Sequence, residues 1–518
     1  MMRVAKRVIK KMIGERYNTN FGAFCLITFA FAIAILVMKT NWVTGIVLAF
    51  VCVAIPIFFS LFVKLEFAIY FFLTLSIFIG VPLKIPTSIP IGISFDGSIL
   101  FTFFGHVFRC YERKDYKSTF KFYPVYFVYA WMAYNFLQVG NPWAASRAAW
   151  FYTMRPYVFY PLIFVLTYYQ FRTKEQILKV LHYFLVITTI CAAWGCYQFL
   201  FGYLNFEMMW VLANDAKHLV YINGRWRSFG TTGSPAHFGV LMGLMFNFYA
   251  ILIPVYKKLS QKIFMMIALL IIFLGLVWSG TRSGFAIVPI GFIIIIGLWG
   301  NTKIYIVGAI LVAIMTFVIV TPSNNYHIQR IQSTFNASED ESYKERKRNQ
   351  ERIKPWLAKH PIGGGLGSTG IWGMKFSPGT MLSGFAPDSG HVRVMVETGY
   401  VGLVIYLAFY FAMLLPAFFK VKVWSLQDQD YKLLILTFFA FYGAFMVVEQ
   451  AQDINGILPF SVGLWFFSAI FCRLIKLALA DELRRWVELN DQRKEEFEER
   501  EKRKFAKRQK YLKRLFEE

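Results

Sequence analysis

Charge is scarce in this chain: 16% of its 518 residues are Asp, Glu, Lys or Arg, against about 25% in a soluble globular protein. No HExxH, no paired-aspartate motif and no acidic cluster suited to Mg²⁺ occurs. A metal-dependent mechanism is therefore disfavoured, and no cofactor is expected. The six cysteines (Cys25, Cys52, Cys110, Cys191, Cys196, Cys472) form no CxxC pair and lie mostly in apolar runs. They read as packing residues, not as disulfides or metal ligands. No small-residue cleavage site follows the first apolar run, Phe21–Met38, so it reads as a retained helix and not a signal peptide. Internal repeats and low-complexity tracts are also missing, which weakens an alternating-access transporter or flippase for a glycolipid.

What is present is apolar. Hydrophobic residues make up 57% of the chain and aromatic ones 19%. Runs near the length that crosses ~30 Å of hydrocarbon recur throughout. Spans are expected at about 21–39, 42–63, 65–82, 92–109, 122–139, 156–171, 177–203, 236–256, 262–279, 284–299, 303–321, 400–419, 431–449 and 455–475. The weakest is 92–109, interrupted by Asp96, Gly97 and His106. The fold class is an all-α polytopic membrane protein with about 12–14 transmembrane helices and a long, partly helical outer loop.

The net charge of +25 fits positive-inside loops and affinity for anionic membrane lipids better than nucleic acid, for which no binding is expected. Placing the basic segment 1–20 in the cytoplasm puts the short basic loops 109–121, 172–179, 257–262 and 420–432, and the C-terminus, on that same side. The domains expected are the N-terminal segment 1–20, a helix bundle 21–321, an outer loop 322–399, C-terminal helices 400–476 and a charged cytoplasmic tail 477–518. That tail reads as a solvated or membrane-skimming helix.

The opposite face collects the residues able to do chemistry. Arg282 lies in Ser279-Gly-Thr-Arg-Ser-Gly284, a polar knot between apolar runs. A guanidinium there needs a cavity or a charged partner, and the alternative is snorkelling to headgroups. Arg225 and Arg227 precede Ser228-Phe-Gly-Thr-Thr-Gly-Ser-Pro235, and Arg155 opens another helix. Arginines converging on one face suit a diphosphate, whose oxygens the guanidinium fork engages in pairs. Asp388 and His391, three apart, would share a helix face as a general-base pair; alternatively Asp388 or Ser389 caps a helix beside a structural histidine. The glycine-rich run Pro361–Gly370 lacks the lysine of a nucleotide loop and reads as a turn in preference to an anion nest.

In this order, Arg227–Pro235, Ser279–Gly284, His360-Pro-Ile-Gly-Gly-Gly-Leu-Gly367 and Glu397-Thr-Gly-Tyr-Val-Gly402 resemble the O-antigen ligase and O-antigen polymerase superfamily of bacterial glycan transferases, over roughly residues 140–470. The resemblance implies a GT-C-like architecture in the bacterial cytoplasmic membrane, with a periplasmic loop over the active site. It also implies an undecaprenyl-diphosphate-linked glycan as donor and a hydroxyl of a glycan or lipid as acceptor. The transfer would be inverting and metal-independent, with Arg282 at the diphosphate and Arg155, Arg225 and Arg227 assisting. Family members often carry His-Asn where this chain has Asp388-Ser389, so the base stays open between Asp388 and His391. A ligase is expected, with a repeat-unit polymerase as the alternative.

Overall fold

The computed structural model describes residues 54–85, 91–114, 124–222, 224–299, 306, 321, 326–335, 341–420 and 426–516. The span expected at 21–39, nearly all of 303–321 and the first half of 42–63 lie outside the described residues. The chain divides into two compact units, Met1–Lys64 and Leu65–Glu518. The described part of the first contains a short apolar helix, Ala54–Val63.

The second unit is helical almost throughout. Seven of its described helices are long and apolar enough to cross a membrane, so the protein is an all-α polytopic membrane protein. In chain order the helices are α1 (Leu65–Phe78), α2 (Ile91–Arg113), α3 (Val125–Leu137), α4 (Arg147–Thr153), α5 (Arg155–Val158), α6 (Pro161–Gln170), α7 (Lys174–Phe201), α8 (Asn205–Ala213) and α9 (Lys217–Val220). A two-residue antiparallel hairpin follows, Tyr221–Ile222 against Arg225–Trp226. Then come α10 (Pro235–Leu252), α11 (Leu259–Ser279), α12 (Arg282–Trp299), α13 (Tyr326–Phe335), α14 (Glu341–Lys359), α15 (Gly370–Phe376), α16 (Gly390–Leu415), α17 (Gln429–Ala451) and α18 (Phe460–Phe516).

Helix α10 is the hub, packed on α11, α12 and α17. Its start is written locally: Ser234 caps the helix by accepting from the His237 amide, and Pro235 stands at the first position, where no amide is needed. Gly239 then lets the knot before α12 come close. A Cβ there would collide with Ser279 and Thr281, and one at Gly284 would lie 2.7 Å from the Gly239 carbonyl oxygen. Small residues at such crossings are how membrane helices gain packing energy without a hydrophobic driving force between them. Further along, Asn247 Nδ2 donates to the Ile287 carbonyl at 2.7 Å and staples α10 to α12.

Several boundaries differ from the apolar runs. Helix α2 runs unbroken through Asp96, Gly97 and His106, because Asp96 is paired with Arg155 and His106 lies against Cys110. The run 156–171 is divided into α5 and α6 by Pro161. The element α16 is two helices meeting at a kink at Gly399: the second starts at the expected 400, while the first, from Gly390, occupies what reads as loop. Helix α18 carries the last span straight into the charged tail. Much of the expected outer loop has a core of its own: Ile353, Leu357, Leu382, Phe385, Val392 and Val396 bury one another, joining α14 to the start of α16.

Candidate functional site

Two polar assemblies meet near the starts of α10, α12 and α16. The first joins the segment 227–235 to the knot 278–284. Arg227, buried to 8% exposure, donates from Nε to the Ser279 carbonyl (2.7 Å), from one terminal nitrogen to the Leu219 carbonyl (3.1 Å) and from the other to Thr281 Oγ1 (3.1 Å). Thr281 Oγ1 in turn donates to the Pro235 carbonyl at 2.8 Å. Gln198 Oε1 accepts from the Phe229 and Gly230 amides, while its Nε2 donates to Glu207 Oε1 at 2.7 Å. Lys84 Nζ donates to the Thr232 carbonyl at 2.8 Å and stands 3.7 Å from the Phe229 ring centroid. Burial lowers the Lys84 ammonium from 10.5 to about 8, opposed by the nearby Glu207 carboxylate. No buried side-chain nitrogen or oxygen of 227–235 or 278–284 is left without a hydrogen-bond partner.

The second assembly is built on a broken helix. At Gly399 the backbone of α16 takes φ 73°, ψ −174°, which frees the preceding carbonyls. The glycine run closes on that break: the Gly364 and Gly365 amides donate to the Val396 and Glu397 carbonyls (2.9 Å each), and the Tyr400 amide donates to the Pro361 carbonyl (2.9 Å). Asn141 Nδ2 holds the run from behind, donating to the Gly363 carbonyl at 3.0 Å. A Cβ at Gly363 would lie 2.6 Å from the Glu397 carbonyl oxygen, and one at Gly399 would strike the Pro361 carbonyl. Positive φ and backbone-to-backbone contact together require glycine at both positions. The run is thus a splint for the kink. His360 is part of it, stacked on Trp356 at 4.1 Å with Nδ1 against the Trp356 carbonyl.

On the helical half before the kink lie His391, Arg393 and Glu397, with Glu449 near the end of α17 and Asp453 just beyond it opposite them. Arg393 makes a 2.7 Å ion pair with Asp453 and stands 3.4 Å from Glu397 Oε1. That Glu397 oxygen also accepts from Thr369 Oγ1 at 2.6 Å. Glu449 is wholly buried. Tyr406 O–H lies within hydrogen-bond reach of both its oxygens (3.0 and 2.8 Å), and His391 Nε2 is 3.7 Å from Oε2. Ser389, the N-cap of α16, donates to the Glu449 carbonyl at 2.9 Å. Unlike the first assembly, this one leaves buried polar atoms without hydrogen bonds inside the protein: His391 Nδ1, Arg393 Nε, Glu397 Oε2, Asp453 Oδ1 and Asn455 Nδ2. Buried donors and acceptors in that condition are costly unless something else satisfies them.

Beside this cluster lies a cavity of about 580 Å³, in the range of small-molecule sites. Arg155, Thr232, Gly233, Tyr152, Trp372 and Gly456 are among its lining residues. Arg155 is held by a 3.2 Å ion pair to Asp96 and by Nε donating to the Tyr152 carbonyl. Gly456 joins cavity and cluster, since a Cβ there would lie 3.6 Å from both Arg393 and Tyr157 Oη.

The residues singled out by sequence are therefore distributed unequally. Arg155 lines the cavity. Arg282, half-buried, opens α12 beside Ser283, whose hydroxyl donates to Gln452 Oε1 at 3.0 Å, one residue before Asp453. The Arg227 guanidinium is committed to holding two segments together, and Arg225 is exposed on the hairpin. His391 lies in the cluster, but Asp388 is exposed and precedes the helix, so the two do not share a helical face. The carboxylate beside His391 is Glu449. Glu449, Asp453 and Arg393 were not singled out from sequence. The available signal was an acid closing an apolar run, which in a membrane is rarely placed without a partner.

Residues 267–407 match the family model described as O-antigen ligase. The matched stretch carries Arg282, the glycine run and the Asp388–Glu397 segment, and it bears out the resemblance drawn from the motifs. The chain is accordingly similar to the membrane ligases and polymerases of that family. No curated protein matches it.

Proposed function

We propose that the protein transfers a glycan from undecaprenyl diphosphate to an acceptor hydroxyl at the periplasmic face of a bacterial cytoplasmic membrane, with both termini cytoplasmic. The observation that carries this reading is the polar cluster His391–Arg393–Glu449–Asp453, adjoining a cavity lined in part by Arg155, within and beside the stretch that matches O-antigen ligase.

The chemistry follows from the donor. The acceptor oxygen forms a bond to the anomeric carbon as the bond from that carbon to the diphosphate oxygen breaks, inverting the centre. The acceptor proton passes to a base, and negative charge accumulates on the leaving diphosphate. Such a leaving group departs readily once fixed cations meet the charge, so neither metal nor nucleotide is needed. Arg282 and Arg155 supply that charge, and the helix starts at Pro235, Arg282 and Gly390 add their positive ends. His391, backed by Glu449, is the better-positioned base. Asp388, at the surface, is the alternative. Arg227 contributes by holding the knot that presents Arg282.

In a strain lacking the protein, wild type should restore the surface glycan on a gel. Arg282→Ala, made to the same level, should restore none and should accumulate the lipid-linked donor. Unchanged glycan in that variant would remove Arg282 from the mechanism. A ladder shortened to single repeats would identify a polymerase instead of a ligase.

A further inference from the structure

The rim of the cavity carries a feature that diphosphate binding does not use. Tyr152, on α4, and Trp372 and Phe376, on α15, present near-parallel rings. Centroids of Tyr152 and Trp372 are 5.7 Å apart at 18°, those of Tyr152 and Phe376 5.1 Å at 20°, and those of Trp372 and Phe376 5.9 Å at 8°. The Lys375 ammonium stands 5.4–5.8 Å from all three. Tyr152 and Trp372 line the cavity together with Arg155.

We propose that these rings and Lys375 form a platform for the pyranose joined to the donor diphosphate; the assignment rests on the donor reading above. The face of an aromatic ring is electron-rich, and the C–H bonds on one face of a pyranose present matching partial positive charge. The rings are stacked on one another, so the outer face of the stack, where Tyr152 and Trp372 line the cavity, takes the flat sugar face, and the ammonium lying over the rings donates to its hydroxyls. Position agrees with this: Arg155 donates from Nε to the Tyr152 carbonyl, so the cation suited to diphosphate and the first ring of the platform are adjacent.

The platform is also fixed in place. The Gly370 amide donates to the Phe385 carbonyl, and Gly373 packs against the Ser368 backbone so closely that a Cβ would not fit. Thr369, at the N-cap of α15, donates to Glu397 of the reactive cluster. A patch serving only to enter lipid would need apolar area but neither parallel rings nor a shared wall with Arg155.

The test uses full-length protein in lipid nanodiscs. Saturation-transfer NMR is run with the methyl glycosides of N-acetylglucosamine, galactose and rhamnose, and undecaprenyl diphosphate binding is measured in parallel. At least one glycoside should show saturation concentrated on one C–H face. Trp372→Leu should weaken it by about fivefold or more, and Trp372→Phe by about twofold or less. Undecaprenyl diphosphate should bind wild type and Trp372→Leu alike, and Arg155→Ala less.

No glycoside binding to wild type, or equal binding by Trp372→Leu with its melting temperature intact, overturns the platform even if undecaprenyl diphosphate binds; the latter result leaves an apolar membrane contact. Glycoside binding that depends on Trp372, with no binding of undecaprenyl diphosphate, keeps the platform and removes the donor reading instead.

Discussion

The two polar assemblies differ in how fully their buried polar atoms are satisfied. Around Arg227 every buried side-chain donor and acceptor of 227–235 and 278–284 has a partner. Around Arg393, five buried polar atoms on His391, Arg393, Glu397, Asp453 and Asn455 make no hydrogen bond within the protein, although Arg393 Nε keeps its 3.4 Å ion pair with Glu397. Both assemblies are rich in motif residues, and both are centred on an arginine, Arg227 buried and Arg393 partly so. On the proposed function, the saturated network fixes geometry and the one with unused donors and acceptors meets the polar groups of the substrate. Motif membership does not separate them, whereas their hydrogen-bond inventories differ.

The comparison can be broken from either side. Arg227→Ala would leave the Ser279 and Leu219 carbonyls and Thr281 Oγ1 short of donors, at a cost of about 3–5 kcal/mol. Little folded protein should survive extraction. Normal melting with lost undecaprenyl diphosphate binding would instead make Arg227 a substrate residue.

On the other side, Glu449→Gln keeps the shape and still accepts from Tyr406, so melting should change by no more than about 1 kcal/mol, whereas transfer should fall about 10²-fold. Equal losses of stability and transfer would return Glu449 to a packing role.

Gly399→Ala tests the splinted kink on which the second assembly is built. Its positive φ and the Pro361 carbonyl against it should cost about 2 kcal/mol or more, and activity should fall only as far as folded protein does.

The smallest effect concerns Lys84. Its folded pKa lies below the unfolded value, so between about pH 8 and 10.5 the unfolded chain binds more protons. Stability contributed by this group therefore rises with pH across that window and levels off above it. Melting temperatures of wild type and Lys84→Met, measured from pH 7 to 10.5, should show a relative slope in that direction; parallel curves would contradict it.

The spans were legible where apolar length alone decides, as at α7, α10, α11, α12 and α17. Starts with local signals were legible too, such as Ser234-Pro235. The helical stretch 390–398 was obscured because Arg393, Glu397 and Gly399 interrupt the apolar pattern, and the backbone groups freed at the kink are met by the distant glycine run. The arginine-bearing motifs could be read, but not which guanidinium is bound up in carbonyls. That depends on Leu219 and Ser279 approaching from separate segments. The pairing of His391 with Glu449 spans two helices far apart in sequence, and no local spacing encodes it. Asp388 offered the nearer carboxylate in sequence, but the Ser389 cap leaves it before the helix.

The most direct measurement is glycan transfer per folded molecule for His391→Gln beside Arg227→Lys, with purified protein and a lipid-diphosphate-linked donor. The account predicts that His391→Gln melts like wild type and transfers about 10²-fold more slowly. Arg227→Lys should lose folded protein, while the molecules that remain folded transfer at close to the normal rate. The opposite pattern, an active His391→Gln and a stable but inactive Arg227→Lys, would contradict the division into site and scaffold.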